Sequence, residues 1–329
     1  MTFAVHRSAE ATRQERGEAF GRANAEAVQH TVATYRRIFA DRGKQPPQRL
    51  EFALTDEIDA IARGADVDPH DLRAVNARTE ILGGADECSV TAGGSLLAQN
   101  WDWHPALRQS TVIWIVEQDD TWFATLTEAG VLAKIGLNSA GLGVCLNLLT
   151  SSEDTGEVTG TPIHVLLRQV LETCEIVEEA IELLTQARVT ASSAVTVATP
   201  GDVATVELSP GGANVLRGRT GAHTNHFLEP PPRGHDTNVE TSATTLQRLE
   251  TVKSQPLLEA LRSHEGHPKG VCRHLDPEEP WHDQTITVAS VVMNLEKLRL
   301  HVADGPPCSH EHHEVTLPSC APLASTARR

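Results

Sequence analysis

The stretch "ILGGADECSVTAGGSLLAQNWDW" (Ile81–Trp103) marks the point at which the chain changes from one kind of secondary structure to another. Upstream of it, apolar residues recur at steps of three and four, a spacing that is typical of helices. From Cys88 onward, short apolar runs alternate with turn residues, and Gly93 and Gly94 separate two such runs as in a β-hairpin. The sequence therefore predicts a helical leader over 1–87 and a β-rich segment that starts at Cys88.

The leader carries its own signals for where helices begin and end. Thr55 is placed to cap a helix that ends near Gly64, and Asp68 with Pro69 forms a cap and first position for the next helix. Earlier in the leader, one apolar face of a single long helix is predicted from Phe20, Ala23, Ala27, Thr31, Tyr35 and Ile38.

Downstream of Cys88, strand runs alternate with pairs of helices. A second hairpin is predicted in "TVIWIVEQDDTWFATL". Further along, the sequence predicts a polar loop over 219–241, helices over roughly 243–263 and a loose tail from Cys308 on. Hairpins combined with helix pairs favour antiparallel sheets that are covered by helices. The predicted fold class is therefore α+β, with a four-layer αββα sandwich and a helical N-terminal leader in one structural domain.

The composition excludes several classes of partner and location. Hydrophobic residues make up 40% of the 329 residues, which is typical of a globular protein. The formal net charge of −16, from 44 acidic against 28 basic residues, argues against a nucleic-acid partner or an anionic membrane surface. Since the sequence shows neither a secretory signal nor an apolar run long enough to span a membrane, we expect a cytoplasmic protein. Its six scattered cysteines are expected to be reduced there.

Cys88 stands directly after two acids, Asp86 and Glu87, which would disfavour the reactive thiolate if all three stayed together. Cleavage of the Glu87–Cys88 peptide bond would resolve this conflict. Cys88 would then carry a free α-amine, with an ordinary pKa of about 7.7–8.0, that can take the proton of its own thiol. The thiol could make the cut itself, through an N-to-S shift and hydrolysis of the thioester. We therefore predict self-cleavage into 1–87 and 88–329, which stay associated as a heterodimer.

Five segments occur in a fixed order along nearly the whole chain: "EIDAIARGADVDPHDLRAVNARTE", "ILGGADECSV" with "QNWDW", "TEAGVLAKIGLNSAGLGVCLNLL", "HTNHFL" and "TITVASVVMNLEKLRLHVADGPPC". Together they resemble the acyl-coenzyme A:6-aminopenicillanic acid acyltransferase family. Members of this family are self-cleaving N-terminal-nucleophile cysteine amidohydrolases, related to the choloylglycine hydrolases. The resemblance implies the N-terminal-nucleophile version of the αββα sandwich and an enzyme that acts on linear amides.

The resemblance also implies roles for four residues. Cys88 matches the nucleophile, and Asp102 in "QNWDW" matches the carboxylate that holds the new α-amine. Asn225 in "HTNHF" matches the asparagine whose amide faces the developing oxyanion, and Asn147 in "GVCLN" matches a second oxyanion or substrate-positioning asparagine. Acyl transfer needs this set, because a nucleophile, an oriented base and neutral donors at the oxyanion each lower its barrier.

Two positions depart from the family pattern. Members often carry glycine just before the nucleophile, where this chain has Glu87. They also tend to place an arginine early in the helix after the "HTNHF" loop, where this chain has Thr245, with Arg248 one turn further on. The sequence alone assigns no role to Arg248.

Other polar and aromatic residues have two readings each. Trp101, Trp103 and His104 either line an acyl pocket or fill core. The tail segment "CSHEHHE" offers zinc-ligand types, but alternating spacing in a tail is more typical of a solvated segment, so neither a metal nor a cofactor is expected. The tail residues concerned are Cys308, His310, His312 and His313.

Three functions are compatible with these residues. The first is a self-processed amidohydrolase that transfers an acyl group to Cys88 and then to water, with a small-molecule amide as substrate. The second is an acyltransferase, which would pass the acyl group from a donor such as acyl-coenzyme A to an amine. The third is a non-catalytic binding relative; it would be favoured by loss of the nucleophile, the aspartate or an asparagine, and all of these are present.

Overall fold

The structure is a computed structural model that describes residues 3–83, 88–239, 242 and 244–319. The leader comprises β1 (Ala4–Ser8), α1 (Arg13–Ala23), α2 (Ala25–Asp41), α3 (Thr55–Ala65), α4 (Pro69–Asn76) and α5 (Arg78–Leu82). Next come six strands: β2 (Ser89–Gly93), β3 (Leu96–Trp103), β4 (Thr111–Gln118), β5 (Thr121–Glu128), β6 (Ile135–Asn138) and β7 (Gly143–Leu148).

The remaining elements alternate between helices and strands. They are α6 (Ile163–Thr173), α7 (Val177–Gln186), β8 (Ser193–Thr199), β9 (Asp202–Ser209), β10 (Gly212–Gly218), β11 (Thr220–His223), α8 (Thr245–Ser254), α9 (Leu257–Leu261), β12 (Ile286–Asn294), β13 (Arg299–Ala303) and β14 (His313–Val315). Among the described residues, no helix is long and apolar enough to cross a membrane.

Two sheets stack to form the centre of the molecule. One has the strand order β1-β4-β5-β6-β7-β8-β9-β10, and the other has the order β11-β2-β3-β12-β13-β14. Strands β2, β3 and β11 of the second sheet pack on β7 and β9 of the first. Helices α6 and α7 cover the outer face of the first sheet, while α8 and α9 cover the second. The predicted α+β class and αββα layering are therefore confirmed.

The leader is not wholly helical, which corrects the sequence prediction. Strand β1 pairs in parallel with β4, so the leader contributes an edge strand to the larger sheet. The predicted long helix is two helices, since the chain breaks at Asn24, whose backbone N–H still bonds the carbonyl of Phe20. As a result, Ala23 points to solvent and not to the predicted apolar face.

Of the two helix caps that the sequence predicts in the leader, the structure has one at the predicted residue. Asp68 caps α4 as predicted, because its side chain accepts a 2.9 Å hydrogen bond from the backbone N–H of His70. Thr55 is instead the first residue of α3, and the cap position is Leu54 with a left-handed φ of 63°.

Two short edge strands lie where the sequence predicts loop. Strand β11, inside the predicted polar loop, pairs antiparallel with β2. Strand β14, inside the predicted loose tail, pairs with β13. Both are edge strands with few apolar residues, so they lack the alternation that identifies a half-buried strand.

Candidate active site

The hairpin of β2 and β3 brings Cys88 and Asp102 together. Ser89 pairs with Asn100 in this hairpin, so the residue before β2 lies beside the end of β3. The Sγ of Cys88 is 4.0 Å from the backbone carbonyl oxygen of Asp102, and Cys88 is only 5% exposed. Cys88 and Asp102 thus lie side by side in a buried site.

Strand β11 delivers Asn225 to the same place. Because β11 pairs with β2, the chain two residues beyond His223 returns to Cys88. The backbone N–H of Cys88 donates a 2.9 Å hydrogen bond to Oδ1 of Asn225, while Nδ2 of Asn225 donates to the carbonyl of Leu148, also at 2.9 Å. In the uncut chain, therefore, the oxygen of this amide faces the backbone nitrogen of Cys88.

Asn147 reaches the site from the opposite sheet. It lies on β7, and its Nδ2 donates a 2.9 Å hydrogen bond to the backbone carbonyl of Cys88. Its Oδ1 is buried, with no hydrogen-bond partner among the described residues. The structure thus brings together all four residues to which the resemblance gives roles.

Arg248 is a site residue that the sequence analysis left without a role. Its Nη1 donates to the carbonyl of Cys88 at 2.9 Å and to Oγ of Ser89 at 3.0 Å, and its Nη2 donates to Oδ1 of Asn225 at 3.0 Å. Burial lowers the pKa of Arg248 to about 10, although Asp102 and Cys88 act in the opposite direction. The guanidinium thus clamps the backbone of Cys88 to the side chain of Asn225.

A signal for Arg248 was present in the sequence. Residues three apart on a helix share a face, so an arginine expected near Thr245 can be replaced by one a turn later. Thr245 remains in the site as well, because its Oγ1 accepts a 3.0 Å hydrogen bond from the backbone N–H of Asn225.

Asp102 is fully buried, and only one of its oxygens is paired. Its Oδ1 accepts a 2.7 Å hydrogen bond from the hydroxyl of Thr287, which lies opposite it on β12. Its Oδ2 is buried without a hydrogen-bond partner among the described residues. Burial raises the pKa of Asp102 well above its ordinary value, against the opposing effects of Thr287 and Arg248. The second oxygen is therefore available to a further donor or cation.

A small cavity lies beside Cys88. Trp101 and Trp103 line this cavity, in agreement with the first of the two alternatives that the sequence offered for them, a pocket or the core. His104 is not part of the lining; its Nε2 lies 2.7 Å from the carbonyl of Trp281, and the two rings pack together. The lining residues are Arg78, Thr79, Leu82, Cys88, Trp101, Asp102, Trp103, Lys134, Leu146, Leu148 and His164.

The lining of the cavity includes charged side chains. Nη2 of Arg78 lies 3.0 Å from Glu128, and Nζ of Lys134 lies 3.1 Å from the same carboxylate and 3.6 Å from the ring centroid of Trp101. Burial and the neighbouring Arg78 lower the pKa of Lys134 to about 7, although Glu128 and Cys88 oppose the shift. Glu128 is the one carboxylate that ion-pairs with these two cations within the described part of the chain.

The tail residues do not converge on one point. The ring of His310 contacts Nη2 of Arg108 at 2.8 Å, and Nε2 of His312 lies 3.1 Å from Oγ of Ser290. The thiol of Cys308 instead faces His274, with Sγ and Nε2 3.5 Å apart.

The chain is similar to several known proteins. The model of the family "Acyl-coenzyme A:6-aminopenicillanic acid acyl-transferase" matches residues 90–305. A curated relative from Emericella nidulans, the acyl-coenzyme A:6-aminopenicillanic-acid-acyltransferase 40 kDa form, is 31% identical over 185 residues, which are 53% of this chain and 51% of the relative. The chain thus spans about half the length of the curated relative that it matches.

Two solved structures are also similar. Penicillin V acylase from Agrobacterium tumefaciens is 18% identical with a TM-score of 0.45, over 67% of this chain and 83% of that one. The N-acylethanolamine-hydrolyzing acid amidase ortholog of Caenorhabditis elegans is 16% identical with a TM-score of 0.47, over 63% of this chain and 92% of that one.

Proposed function

This chain belongs to the acyl-coenzyme A:6-aminopenicillanic acid acyltransferase family, and we propose that it is a cysteine amidohydrolase that cleaves a small linear amide through a thioester on Cys88. The observation that carries the proposal is the set of contacts around this one residue. Asn225 holds its backbone nitrogen, Asn147 and Arg248 hold its carbonyl, and a cavity lies next to its thiol. A merely structural cysteine needs none of these polar contacts.

Maturation by cleavage between Glu87 and Cys88 is part of the proposal. Both backbone ends of Cys88 are held by buried side chains in the uncut chain, which leaves the thiol to attack the preceding carbonyl. An N-to-S shift would give a thioester, and water would hydrolyse it to free the α-amine of Cys88. Glu87 itself lies outside the described residues. The products would be the chains 1–87 and 88–329.

The leader is expected to remain bound after the cut. Strand β1 pairs with β4, and the backbone N–H at the start of α6, that of Ile163, donates a 2.9 Å hydrogen bond to Glu80 of the leader. Within the core, the hydroxyl of Tyr35 bonds Glu128 at 2.7 Å. These contacts support a non-covalent heterodimer of the two processed chains.

In the proposed reaction the α-amine of Cys88 takes the proton of its thiol, and the thiolate attacks the substrate carbonyl. The amides of Asn147 and Asn225 are the proposed donors to the oxyanion. Asp102, whose Oδ2 has no hydrogen-bond partner among the described residues, would hold the ammonium. The ammonium then protonates the leaving amine, the C–N bond breaks, and a thioester remains. Water attacks this thioester, and the acid and the free thiol are released.

The cavity supports a particular kind of acyl group. Its walls include Trp101, Leu146 and Leu148, which favour an apolar portion. Its lining also includes Arg78 and Lys134, which pair with Glu128, so a hydrogen-bond acceptor or a carboxylate on the acyl group would meet hydrogen-bond donors there. We therefore propose an acyl group with an apolar body and an acidic or strongly accepting end.

Acyl transfer to an amine is the second candidate function. The relative from Emericella nidulans is named as an acyltransferase, and the residues proposed for hydrolysis would also serve transfer. The two reactions differ only in whether water or an amine reaches the thioester. Because none of the described cysteines lies in a disulfide, a reducing compartment such as the cytoplasm is the proposed location for either reaction.

A panel of acyl amides tests the proposal. It should contain matched pairs that differ only in a neutral or a carboxylate end, and the liberated amine should be measured with and without an added acceptor amine. We expect release from at least one member, an acyl adduct on the 88–329 chain in quenched samples, and neither in Cys88→Ala. Turnover without an adduct on Cys88, or turnover by Cys88→Ala, would contradict the proposal.

A further inference from the structure

Four potential metal ligands meet beside the irregular segment that follows α9, and none of them lines the cavity at Cys88. They are His264, Cys272, His274 and Cys308, and their ligand atoms all lie within 4.8 Å of one another. Nε2 of His274 is 3.2 Å from Nε2 of His264, 3.7 Å from Sγ of Cys272 and 3.5 Å from Sγ of Cys308. The ligand atoms of two imidazoles and two thiols thus form one compact cluster.

These separations match the edges of a zinc tetrahedron. With Zn–S bonds of about 2.3 Å and Zn–N bonds of about 2.0–2.1 Å, tetrahedral angles place two nitrogens about 3.3 Å apart and a nitrogen and a sulfur about 3.5 Å apart. Two histidines with two cysteines form a common structural zinc set, and soft thiolates exclude magnesium or calcium. We propose that His264, Cys272, His274 and Cys308 bind one zinc ion.

The position of these ligands in the chain explains what the ion would do. Three of them lie between α9 and β12, over 262–285, a segment whose described regular structure is a single short turn of helix at Trp281–Asp283. The fourth, Cys308, follows β13. Long irregular segments need an anchor, because their backbone has few ladder hydrogen bonds. Zinc would cross-link this segment to the end of the chain's last long hairpin.

The four ligands differ in burial, so the site is closed on one side and open to solvent on the other. Cys272 is fully buried, His274 is partly buried, and His264 and Cys308 are exposed. Binding would release one proton from each thiol, which gives a neutral centre of one Zn²⁺, two thiolates and two imidazoles. Since four protein ligands fill the tetrahedron, the ion would be structural and would carry no reactive water.

The site also connects to the proposed catalytic aspartate. Arg273 lies between two of the ligands, and its backbone N–H donates a 2.8 Å hydrogen bond to the hydroxyl of Thr287. That hydroxyl in turn donates to Oδ1 of Asp102 at 2.7 Å. An ion that fixes the backbone on both sides of Arg273 would therefore fix the hydroxyl that orients Asp102.

Metal content of the tag-free, full-length protein is the first measurement. After purification under reducing conditions and dialysis against a weak chelator, we expect about one zinc per chain by elemental mass spectrometry. Replacement by Co²⁺ should give the strong visible bands of tetrahedral cobalt together with thiolate-to-cobalt charge transfer in the near ultraviolet. Protein that holds no zinc and develops no such bands with Co²⁺ would overturn the proposal, and so would a disulfide between Cys272 and Cys308 in that sample.

Variants identify the ligands. Cys308→Ser should lose the cobalt charge-transfer intensity of one thiolate and bind zinc at least tenfold more weakly, and Cys272→Ser should do the same. Cys174→Ser removes a thiol elsewhere in the core, and His313→Ala removes an exposed tail histidine; both should keep one zinc per chain. Retention of wild-type spectra in Cys308→Ser, or loss of metal in His313→Ala, would contradict the ligand set. These readouts do not depend on any catalytic activity.

Discussion

One group of buried charges holds the leader against the rest of the molecule, and another surrounds Cys88. In the first, Arg16 and Glu57 of the leader meet Arg168 and Glu172 of α6. Nε of Arg16 and Nη2 of Arg168 lie 2.9 Å and 3.0 Å from the same oxygen of Glu57. Oε1 of Glu172 lies 3.8 Å from Nη2 of Arg16, and Oε2 of Glu172 lies 3.7 Å from Nε of Arg168. Two positive and two negative side chains thus compensate one another.

The second group differs in its carboxylate. Buried atoms without a hydrogen-bond partner among the described residues occur in both groups, since Nη2 of Arg16 and both Nε and Nη1 of Arg168 have none. In the first group, however, burial of Glu172 is outweighed by Arg168 and Arg13, which hold its pKa below the ordinary value. Asp102 has an unpaired buried oxygen among the described residues, and burial raises its pKa, while burial lowers the pKa of Arg248. Unfavourable burial of this kind is typical of functional sites, whereas paired charges are typical of structural ones. We infer a structural role for the leader network, and we propose that the Cys88 site would receive a further cation, the α-ammonium that cleavage before Cys88 would create.

The largest expected effect on the Cys88 site comes from Asp102→Asn. The change keeps the shape of the side chain and removes the charge that would hold the ammonium. We expect kcat/KM of the processed protein to fall by about 10²–10⁴, with little loss of stability. Because the amine would bind its proton less tightly, the rise of activity with pH should begin at lower pH. Steady-state kinetics within a few-fold of wild type would remove Asp102 from the mechanism.

The opposite pattern is expected for Glu57→Gln in the leader network. It leaves two buried arginines with a single carboxylate, which should lower the free energy of unfolding by about 3–5 kcal/mol. Activity per folded molecule should stay close to wild type. The matched control is Glu18→Gln, which breaks the exposed pair with Arg22 and should cost less than about 1 kcal/mol. Urea unfolding measures both, and equal losses would refute the structural role of the network.

A smaller effect is expected for Arg248→Lys. A lysine keeps the charge but cannot bridge the carbonyl of Cys88 and the amide of Asn225 at once. We expect kcat/KM to fall by about 10²–10³, the usual consequence of a misplaced oxyanion donor. Lys253→Arg, on the exposed side of the same helix, is the control and should leave the kinetics unchanged. An unaffected Arg248→Lys enzyme would show that the clamp has no catalytic consequence.

The smallest effect concerns Glu80, the leader residue that bonds the start of α6. Burial raises its pKa to about 7, although the N–H of Ile163 opposes the shift. Because the folded pKa lies above the unfolded one, this contribution to stability is full below about pH 4 and is lost as the pH rises through 7. Relative to Glu80→Gln, wild type should lose about 3 kcal/mol of unfolding free energy across that range. A constant difference between the two proteins would contradict the shift.

Local patterns explain which parts of the fold could be predicted. The hairpin after Cys88 and the helices on both outer faces follow from short-range periodicity and turn residues. Strands β1, β11 and β14 were missed, because each is short and gains its hydrogen bonds from a strand far away in sequence. The break at Asn24 was missed because the apolar spacing continues across it.

The same reasoning applies to the candidate sites. Cys88, Asp102, Asn147 and Asn225 were predicted because each lies in a distinctive local motif, and the fold brings them together. Arg248 was missed because it stands one helical turn from the expected position. The proposed zinc site was not predicted, because the residues that meet Cys308 are not the histidines next to it in sequence.

The intact masses of wild type and Cys88→Ala, purified side by side, test the central claim most directly. The account predicts two species for wild type, corresponding to 1–87 and 88–329, which co-elute in native buffer and separate in denaturant. It predicts one uncut, folded and inactive chain of 329 residues for Cys88→Ala. A wild-type protein that is a single full-length chain and yet turns over substrate would contradict the account, as would cleavage of Cys88→Ala at the wild-type rate.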